Sequence, residues 1–254
     1  MTAKVYAIAQ QKGGVGKTTT ARNLGAALVE DGARVLFVDL DPQAALTSTM
    51  GVIPEEIDLT VYNVLCDPAI SVKKALQRQE QFCYIPANID LAGGEVQLIN
   101  EPGRESLLKW KLKEISQDFD YVLIDAPPSL GILTLNALVA STGVIIPVQT
   151  QYLALRGMDL LLSTIKKVQS LINPDLVVLG FLATMYDQRT KHSRECLENL
   201  KETYAEKVFR TVIPHTVKLQ DSFVSSMPIT QFDSNSLAAH AYRNLAKEIH
   251  EREA

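Results

Sequence analysis

Short apolar segments rich in β-branched residues alternate along the chain with longer segments of helical periodicity. This alternation is typical of a parallel sheet covered by helices on both faces, because parallel strands need long crossover connections. The predicted strands are 4–10, 34–39, 82–87, 121–126, 143–148, 176–185 and 207–214. The predicted helices are 18–31, 157–172, 192–204 and 236–251. The pattern therefore predicts an α/β fold with a mostly parallel, twisted sheet.

Composition supports one globular unit. With 254 residues, of which 46% are hydrophobic and 21% charged, the chain can bury one substantial core. No linker-like or low-complexity tract divides it, so we expect a single domain over 1–254. No apolar run approaches the roughly 18 residues that a membrane span needs, and the N-terminus leads into a strand without a secretory signal. We expect a cytoplasmic protein without a membrane partner.

Charge and cysteine content exclude two further classes. The formal net charge of −4 is unlike that of a protein coated with basic residues, so any DNA binding would need a local patch. The three cysteines are widely separated and form no CxxC pair, which argues against a disulfide framework or a structural zinc site.

A glycine-rich segment, QKGGVGKTT at 11–19, lies between the first strand and the first helix. Glycines here let successive backbone N–H groups face inward around phosphate oxygens, and the positive end of the helix dipole adds to the attraction. Lys17 can contact the outer phosphates, and the Thr18 hydroxyl can ligate Mg²⁺. The predicted nucleotide-binding set is Gly13, Gly14, Val15, Gly16, Lys17, Thr18 and Thr19. The alternative is a glycine turn that only joins strand to helix.

Three aspartates follow predicted strands. Asp39 and Asp41 come after the apolar run 35–38, and Asp125 ends the apolar run 121–124. Carboxyl ends of parallel strands meet at one edge of a sheet, where a γ-phosphate and its metal would lie. Their predicted roles are to position water or to hold Mg²⁺. For Asp41, which precedes Pro42, a simple Asp–Pro turn is the alternative.

The loop departs from the ordinary G-x-x-x-x-G-K-[ST] spacing, because Gln11 occupies the first glycine position and Lys12 follows it. This form resembles the deviant Walker A motif of the ParA/MinD class. The chain as a whole resembles ParA/Soj-type partition ATPases in the blocks QKGGVGKTTT (11–20), VDLDPQ (38–43), LIDAPPSL (123–130), IPVQ (146–149) and TMYDQRT (184–190).

The resemblance implies slow ATP hydrolysis coupled to a homodimer in which ATP and Mg²⁺ are sandwiched. The ATP dimer would bind DNA without sequence preference, and a ParB-like partner would stimulate hydrolysis. Lys12 would act across the dimer, Lys17 and Thr18 would hold phosphate and metal, and Asp41 would orient the attacking water. Asp39 and Asp125 would support the metal.

The resemblance also implies what this chain lacks. The first strand begins too early for the N-terminal helix-turn-helix domain of some plasmid partition ATPases. No cysteine follows 126–128, as a NifH-like cluster would require, and the last helix does not resemble the MinD membrane helix.

The DNA surface is less well marked. The candidates are Lys191, Arg194, Arg210, Lys218, Arg243 and Lys247. Interspersed glutamates make an ordinary solvated surface the alternative. Where Soj-like proteins commonly have I-P-R-N-V-R, this chain has IPHTVK at 213–218, so His215 and Lys218 replace two arginines. The cargo could therefore be something other than a chromosome or plasmid.

Met185 and Pro214 are expected near the adenine by the same resemblance, although both could equally be strand-end packing residues. Two other functions stay open. One is a related ATPase that positions a protein organelle, a chemoreceptor cluster or a division regulator. The other is a metabolic ATP-dependent ligase on the same scaffold.

Overall fold

The computed structural model describes residues 3–150 and 155–253. Its centre is a seven-stranded sheet in the order β3-β4-β2-β5-β1-β6-β7, in which only the β3–β4 pair is antiparallel. The α/β fold class and the mostly parallel sheet are thus confirmed. The strands are β1 (Lys4–Ile8), β2 (Val35–Asp39), β3 (Gln77–Gln79), β4 (Phe82–Ile85), β5 (Tyr121–Asp125), β6 (Gly143–Gln149) and β7 (Val177–Thr184).

The four predicted helices are present as α1, α8, α9 and α12, with ends displaced by at most two residues. The other helices, most of them short, were not predicted. The helices are α1 (Lys17–Glu30), α2 (Ala45–Ser48), α3 (Val61–Cys66), α4 (Val72–Ala75), α5 (Asp90–Leu98), α6 (Leu107–Leu112), α7 (Ile132–Ala140), α8 (Leu155–Leu171), α9 (Lys191–Tyr204), α10 (Lys218–Val224), α11 (Ile229–Phe232) and α12 (Leu237–Glu253). None of them, over the residues described, is long and apolar enough to cross a membrane.

The predicted strand at 207–214 is wrong. This segment runs beside β7 but forms only isolated parallel bridges, at Val208 and Pro214. Between them the backbone N–H groups of Arg210 and Thr211 donate to the carboxylate of Glu248 on α12, at 2.8 and 3.0 Å. The buried carboxylate takes donors that a strand ladder would use, so the segment stays extended without joining the sheet.

Both faces of the sheet are buried, as expected when helices cover a parallel sheet. Side chains of β1 alternate between two apolar layers: Val5 and Ala7 belong to one cluster, and Tyr6 and Ile8 to the other. The second layer is closed by α1 and α12, which pack against each other. The sheet is therefore held rigidly from both sides, which fixes the positions of the loops at its carboxyl edge.

Helix α1 approaches the sheet at Gly25. A Cβ atom added there would lie 2.2 Å from Cε1 of Phe37, a fully buried residue of β2. The ring is enclosed by the core and has no space into which to move. The glycine is thus required by helix–sheet distance rather than by backbone conformation.

We expect Gly25→Ala to destabilise the protein by about 1–3 kcal/mol, because the added methyl overpacks the core against Phe37. The matched control is Gly93→Ala, another helical glycine, whose added Cβ would meet nothing within 4 Å. That substitution should instead stabilise by about 0.5–1 kcal/mol through helix propensity. Urea denaturation measures both, and equal effects of the two substitutions would contradict the packing argument.

Candidate functional site

The glycine loop joins β1 to α1 at the centre of the sheet. Gly14 and Gly16 have φ values of +71° and +91°, a left-handed conformation that favours glycine. Gly16 is also the N-cap of α1, and it has no side chain that could accept from the first N–H groups of the helix. An anion can therefore bind these N–H groups without displacing a side-chain cap at Gly16.

The loop is anchored to β7. The Thr184 hydroxyl donates to the carbonyl of Val15 at 2.8 Å, and both residues are buried. Lys12, at the other end of the loop, is half-buried and its ammonium donates to Oε1 of Gln149, at the end of β6, at 3.1 Å. The two lysines of the loop therefore occupy different environments, since Lys17 is only 7% exposed.

Lys17 lies among carboxylates. Burial lowers the pKa of its ammonium, and the charges of Asp125 and Asp41 oppose that shift. A buried cation of this kind is a compact charge for phosphate oxygens, because water competes little with it.

Asp39 and Asp125 are paired across neighbouring strands, β2 and β5, at their carboxyl ends. The Thr18 hydroxyl donates to Oδ2 of Asp125 at 2.6 Å. Asp39 accepts from both the N–H (2.8 Å) and the hydroxyl (2.7 Å) of Thr47, and from the N–H of Asp41 at 3.1 Å. Both carboxylate oxygens of Asp39 thus accept hydrogen bonds, and the bond from the N–H of Asp41 stabilises the turn that carries Asp41.

Burial dominates the electrostatics of this pair. It raises the pKa of Asp39 to about 6, against the hydrogen bonds from Thr47 and Asp41. Burial, followed by the charge of Asp39, raises the pKa of Asp125 well above its usual range, with Thr18 and Lys17 opposing. Two adjacent buried carboxylates favour a divalent cation beside them.

The donor set fits Mg²⁺. Oδ1 of Asp125 is buried and has no hydrogen-bond partner in the described part of the chain, beside the Thr18 hydroxyl. Mg²⁺ takes one or two protein ligands and completes its shell with water and phosphate oxygens, and one carboxylate with one hydroxyl matches that requirement.

Met185 and Pro214, which the resemblance places near the adenine, line the same cavity. This cavity of about 300 Å³ opens beside Gly16 and Thr19 of the phosphate loop. Met185 has φ of +52°, uncommon for a residue with a side chain, at the point where the chain leaves β7. Sequence reasoning missed three apolar residues of this wall, although two of them have helical i, i+4 spacing: Leu219, Phe223 and Tyr242.

The six candidate DNA-binding residues are spread over several elements, and four have carboxylate partners. The pairs are Lys191–Glu195 (3.4 Å), Arg210–Glu251, Lys218–Asp233 and Arg243–Glu30 (2.7 Å). Arg194 instead donates to the carbonyl of Gln188 at 2.7 Å, and Lys247 lies with Arg210 at the rim of a shallow groove. Within one subunit these cations form no single patch of unpaired charge.

A phosphate loop between β1 and α1, with two strand-end aspartates beside it, defines the class of P-loop nucleotide-binding α/β proteins. The chain also matches the AAA domain family over residues 3–178. It is 46% identical to the sporulation initiation inhibitor protein Soj of Bacillus subtilis over 97% of this chain and 98% of that protein. The chromosome-partitioning ATPase Soj of Treponema pallidum is 45% identical, over 97% and 96%. The chain belongs to the Soj/ParA family of ATPases.

A solved structure of a protein with a different described activity is similar to this chain as well. A Mycobacterium smegmatis protein described as cobyrinic acid a,c-diamide synthase, with bound ADP and magnesium, superposes with a TM-score of 0.86. Its sequence is 45% identical, over 96% of this chain and 93% of that one. This identity equals that to the Treponema pallidum Soj and is one percentage point below that to the Bacillus subtilis Soj.

The raised pKa of Asp39 predicts a pH dependence of stability. Its folded-state pKa of about 6 exceeds the usual 3.8, so the folded state loses stability as pH rises through this interval. Asp39→Asn removes that loss. In the nucleotide-free protein, the unfolding free energy of the variant minus that of wild type should increase by up to about 3 kcal/mol between about pH 4 and pH 7. Urea denaturation across pH measures it, and a constant difference would refute the assignment.

Proposed function

We propose that this protein is a cytoplasmic, single-domain ATPase that binds ATP and Mg²⁺, dimerises around the nucleotide and partitions a chromosome or plasmid. In this proposal the ATP dimer binds DNA without sequence preference, which associates it with the nucleoid, and a ParB-like partner stimulates hydrolysis. The observation that carries the proposal is Lys12, a second lysine beside a phosphate loop that already holds the buried Lys17. The Soj relatives, similar over nearly the whole chain, support it.

Different groups of the phosphate loop bind different parts of ATP and its metal ion. Backbone N–H groups of 13–19 and the first turn of α1 surround the phosphates, and Lys17 neutralises their outer oxygens. Asp125 accepts a hydrogen bond from the Thr18 hydroxyl, and these two residues would hold Mg²⁺ on the protein side. When bound, Mg²⁺ offsets the charge that develops on the phosphoryl oxygens.

We infer that Asp41 orients the attacking water. It is half-buried on the turn that Asp39 supports, and it contributes to the electrostatic environment of Lys17. Phosphoryl transfer needs positioning and charge neutralisation more than covalent chemistry, so a single well-placed carboxylate is sufficient for this role.

The ammonium groups of Lys12 and Lys17 have different neighbours. The Lys12 ammonium contacts Gln149 at the end of β6, which lies on the opposite side of β1 from β5 and β2, the strands that carry Asp125 and Asp39. Because Lys17 already supplies the buried cation of the cradle, the second cation serves the phosphates of a facing subunit. ATP then joins two copies through charge-assisted contacts that neither copy makes alone.

DNA binding in this proposal depends on the dimer. Four of the six candidate cations are partly neutralised within the subunit, and the formal charge of the chain is −4. A surface of partly neutralised cations binds DNA weakly, and pairing two such surfaces doubles the number of cations that can contact phosphate. ATP-driven pairing of two such surfaces would therefore switch DNA binding on.

Lys12→Ala should abolish ATP-dependent dimerisation and hydrolysis, because the charge that crosses the interface is lost. Asp41→Ala should instead trap the ATP dimer, because water is no longer oriented. The matched control is Lys74→Ala, at an exposed lysine of α4. Sedimentation with ATP and Mg²⁺ measures assembly, and dimers formed equally by both site variants would refute these roles.

Retention on random-sequence DNA should require ATP and fall steeply with salt, with a slope of log affinity against log salt of about −0.9 for each phosphate contact. ADP or no nucleotide should give little retention. Titration of DNA binding against salt in the three nucleotide states measures this, and equal retention with ADP and ATP would reject DNA partition.

A second candidate is an ATP-dependent ligase that activates a small carboxylic acid, as the name of the M. smegmatis structure suggests. It predicts that a small metabolite raises ATP turnover many-fold without DNA or another protein. A third candidate, an ATPase that positions a protein organelle, a chemoreceptor cluster or a division regulator, is favoured by His215 and Lys218 in place of two arginines. An adjacent gene for a ParB-like protein would favour partition, and one for an unrelated small partner would favour this third candidate.

A further inference from the structure

Helix α5 carries an apolar stripe that the rest of the described chain does not cover. Ile89, Val96 and Ile99 are 57%, 69% and 54% exposed, and the exposed Ala92 completes the row. Spacings of three, four and three residues place all four side chains on one side of the helix. The residue before α5 and the residue after it are helical too, so the row extends for about 15 Å.

The opposite side of α5 is firmly packed. Leu91 and Leu98 are fully buried, and a Cβ atom added at Gly94 would lie 2.9 Å from the ring of Tyr62 on α3. The helix therefore has one side committed to the core and one apolar side facing outward. Contiguous exposed apolar residues of this kind mark interaction sites more often than scattered ones do.

Charge decides what can cover the stripe. The sequence has no Lys or Arg between Arg78 and Arg104, whereas Asp90 and Glu101, at the two ends of the stripe, are exposed. Glu95 adds a half-buried carboxylate on the side toward Gly131. Arg104, which donates to the carbonyl of Ile99 at 2.5 Å, is the first cation at the C-terminal end.

A second copy of the chain fits poorly. In a two-fold interface the same surface meets itself, so antiparallel α5 helices would place Asp90 near Glu101 of the other copy at both ends. Anionic lipid is disfavoured for the same reason, because amphipathic helices that bind it carry Lys and Arg beside the apolar face. A helix with an apolar face and flanking Lys or Arg complements both features of the surface.

We propose that the α5 stripe is a docking site for a basic amphipathic helix of a partner protein. Apolar side chains of that helix pack along Ile89, Ala92, Val96 and Ile99, and its cations face Asp90 and Glu101. This binding mode is helix-on-helix recognition with i, i+3, i+4 and i+7 anchors. It requires neither nucleotide nor DNA.

The probe is a synthetic amphipathic peptide of about 18 residues with a Leu face and a Lys face, long enough to form a helix on binding. A second peptide carries Glu in place of Lys. Trp110 reports binding by fluorescence: it is the only tryptophan of the chain, half-exposed, with its ring against Gly103, four residues beyond Ile99. The measurements are made without nucleotide, so their outcome is independent of the partition proposal.

We expect the Lys peptide to bind with salt-sensitive affinity and the Glu peptide not to bind. Val96→Asn combined with Ile99→Asn should weaken binding at least about tenfold, the size of effect that removing anchor residues has. Leu171→Asn, at an aliphatic residue 78% exposed on α8, should leave affinity within about twofold. The unchanged Trp110 spectrum of the free variants verifies that their fold is retained.

The proposal is overturned if the Lys peptide does not bind, or if both peptides bind equally. It is also overturned if the α5 variant binds the Lys peptide as tightly as wild type does. A fourth contradicting result is that wild type self-associates, or binds phosphatidylglycerol vesicles, and the α5 variant does not. The last result would assign the stripe to a second copy or to lipid.

Discussion

The structure depends on two carboxylates held side by side in the core. Asp39 and Asp125 lie at the same register on neighbouring strands, and burial opposes the ionisation of both. The surrounding donors offset only part of that cost: Thr18 and Thr47 supply hydroxyls, and Lys17 supplies one cation. A divalent cation bound beside the two carboxylates would offset the remaining free-energy cost of their burial. The folded protein therefore favours binding of the nucleotide together with its metal ion.

The packing around Asp39 and Asp125 holds the two carboxylates in fixed positions. The central strands are covered on both faces, and Gly25 lets α1 approach β2 closely above Phe37. The Thr184 hydroxyl on β7 donates to the carbonyl of Val15, and the Thr18 hydroxyl donates to Asp125 on β5. The phosphate loop and the start of α1 are thus tied to strands on both sides of β1. A rigid cradle stabilises phosphate without reorganisation at the moment of reaction, which is the condition for electrostatic catalysis.

The sequence predicted six of the seven strands and the glycine loop between β1 and α1, because both depend on local patterns. Strand–helix alternation, glycine spacing and aspartates at strand ends are each readable within about 20 residues. The failures involve distant partners. The segment 207–214 has the composition of a strand, but Glu248, more than 30 residues away, accepts from two of its N–H groups, those of Arg210 and Thr211. Leu219 and Tyr242 joined the cavity beside Gly16 only through tertiary packing, which no local pattern records.

The α5 stripe and the nucleotide site share a short connection. The N–H of Ala87, which precedes α5, donates to the hydroxyl of Thr47 at 2.9 Å, and that hydroxyl donates to Asp39. Two hydrogen bonds thus link the segment that precedes α5 to Asp39 of the buried carboxylate pair. If a helix docked on α5 displaces this segment, it alters the surroundings of Asp39 and hence nucleotide affinity. By thermodynamic linkage the nucleotide then alters the affinity of that helix by the same factor.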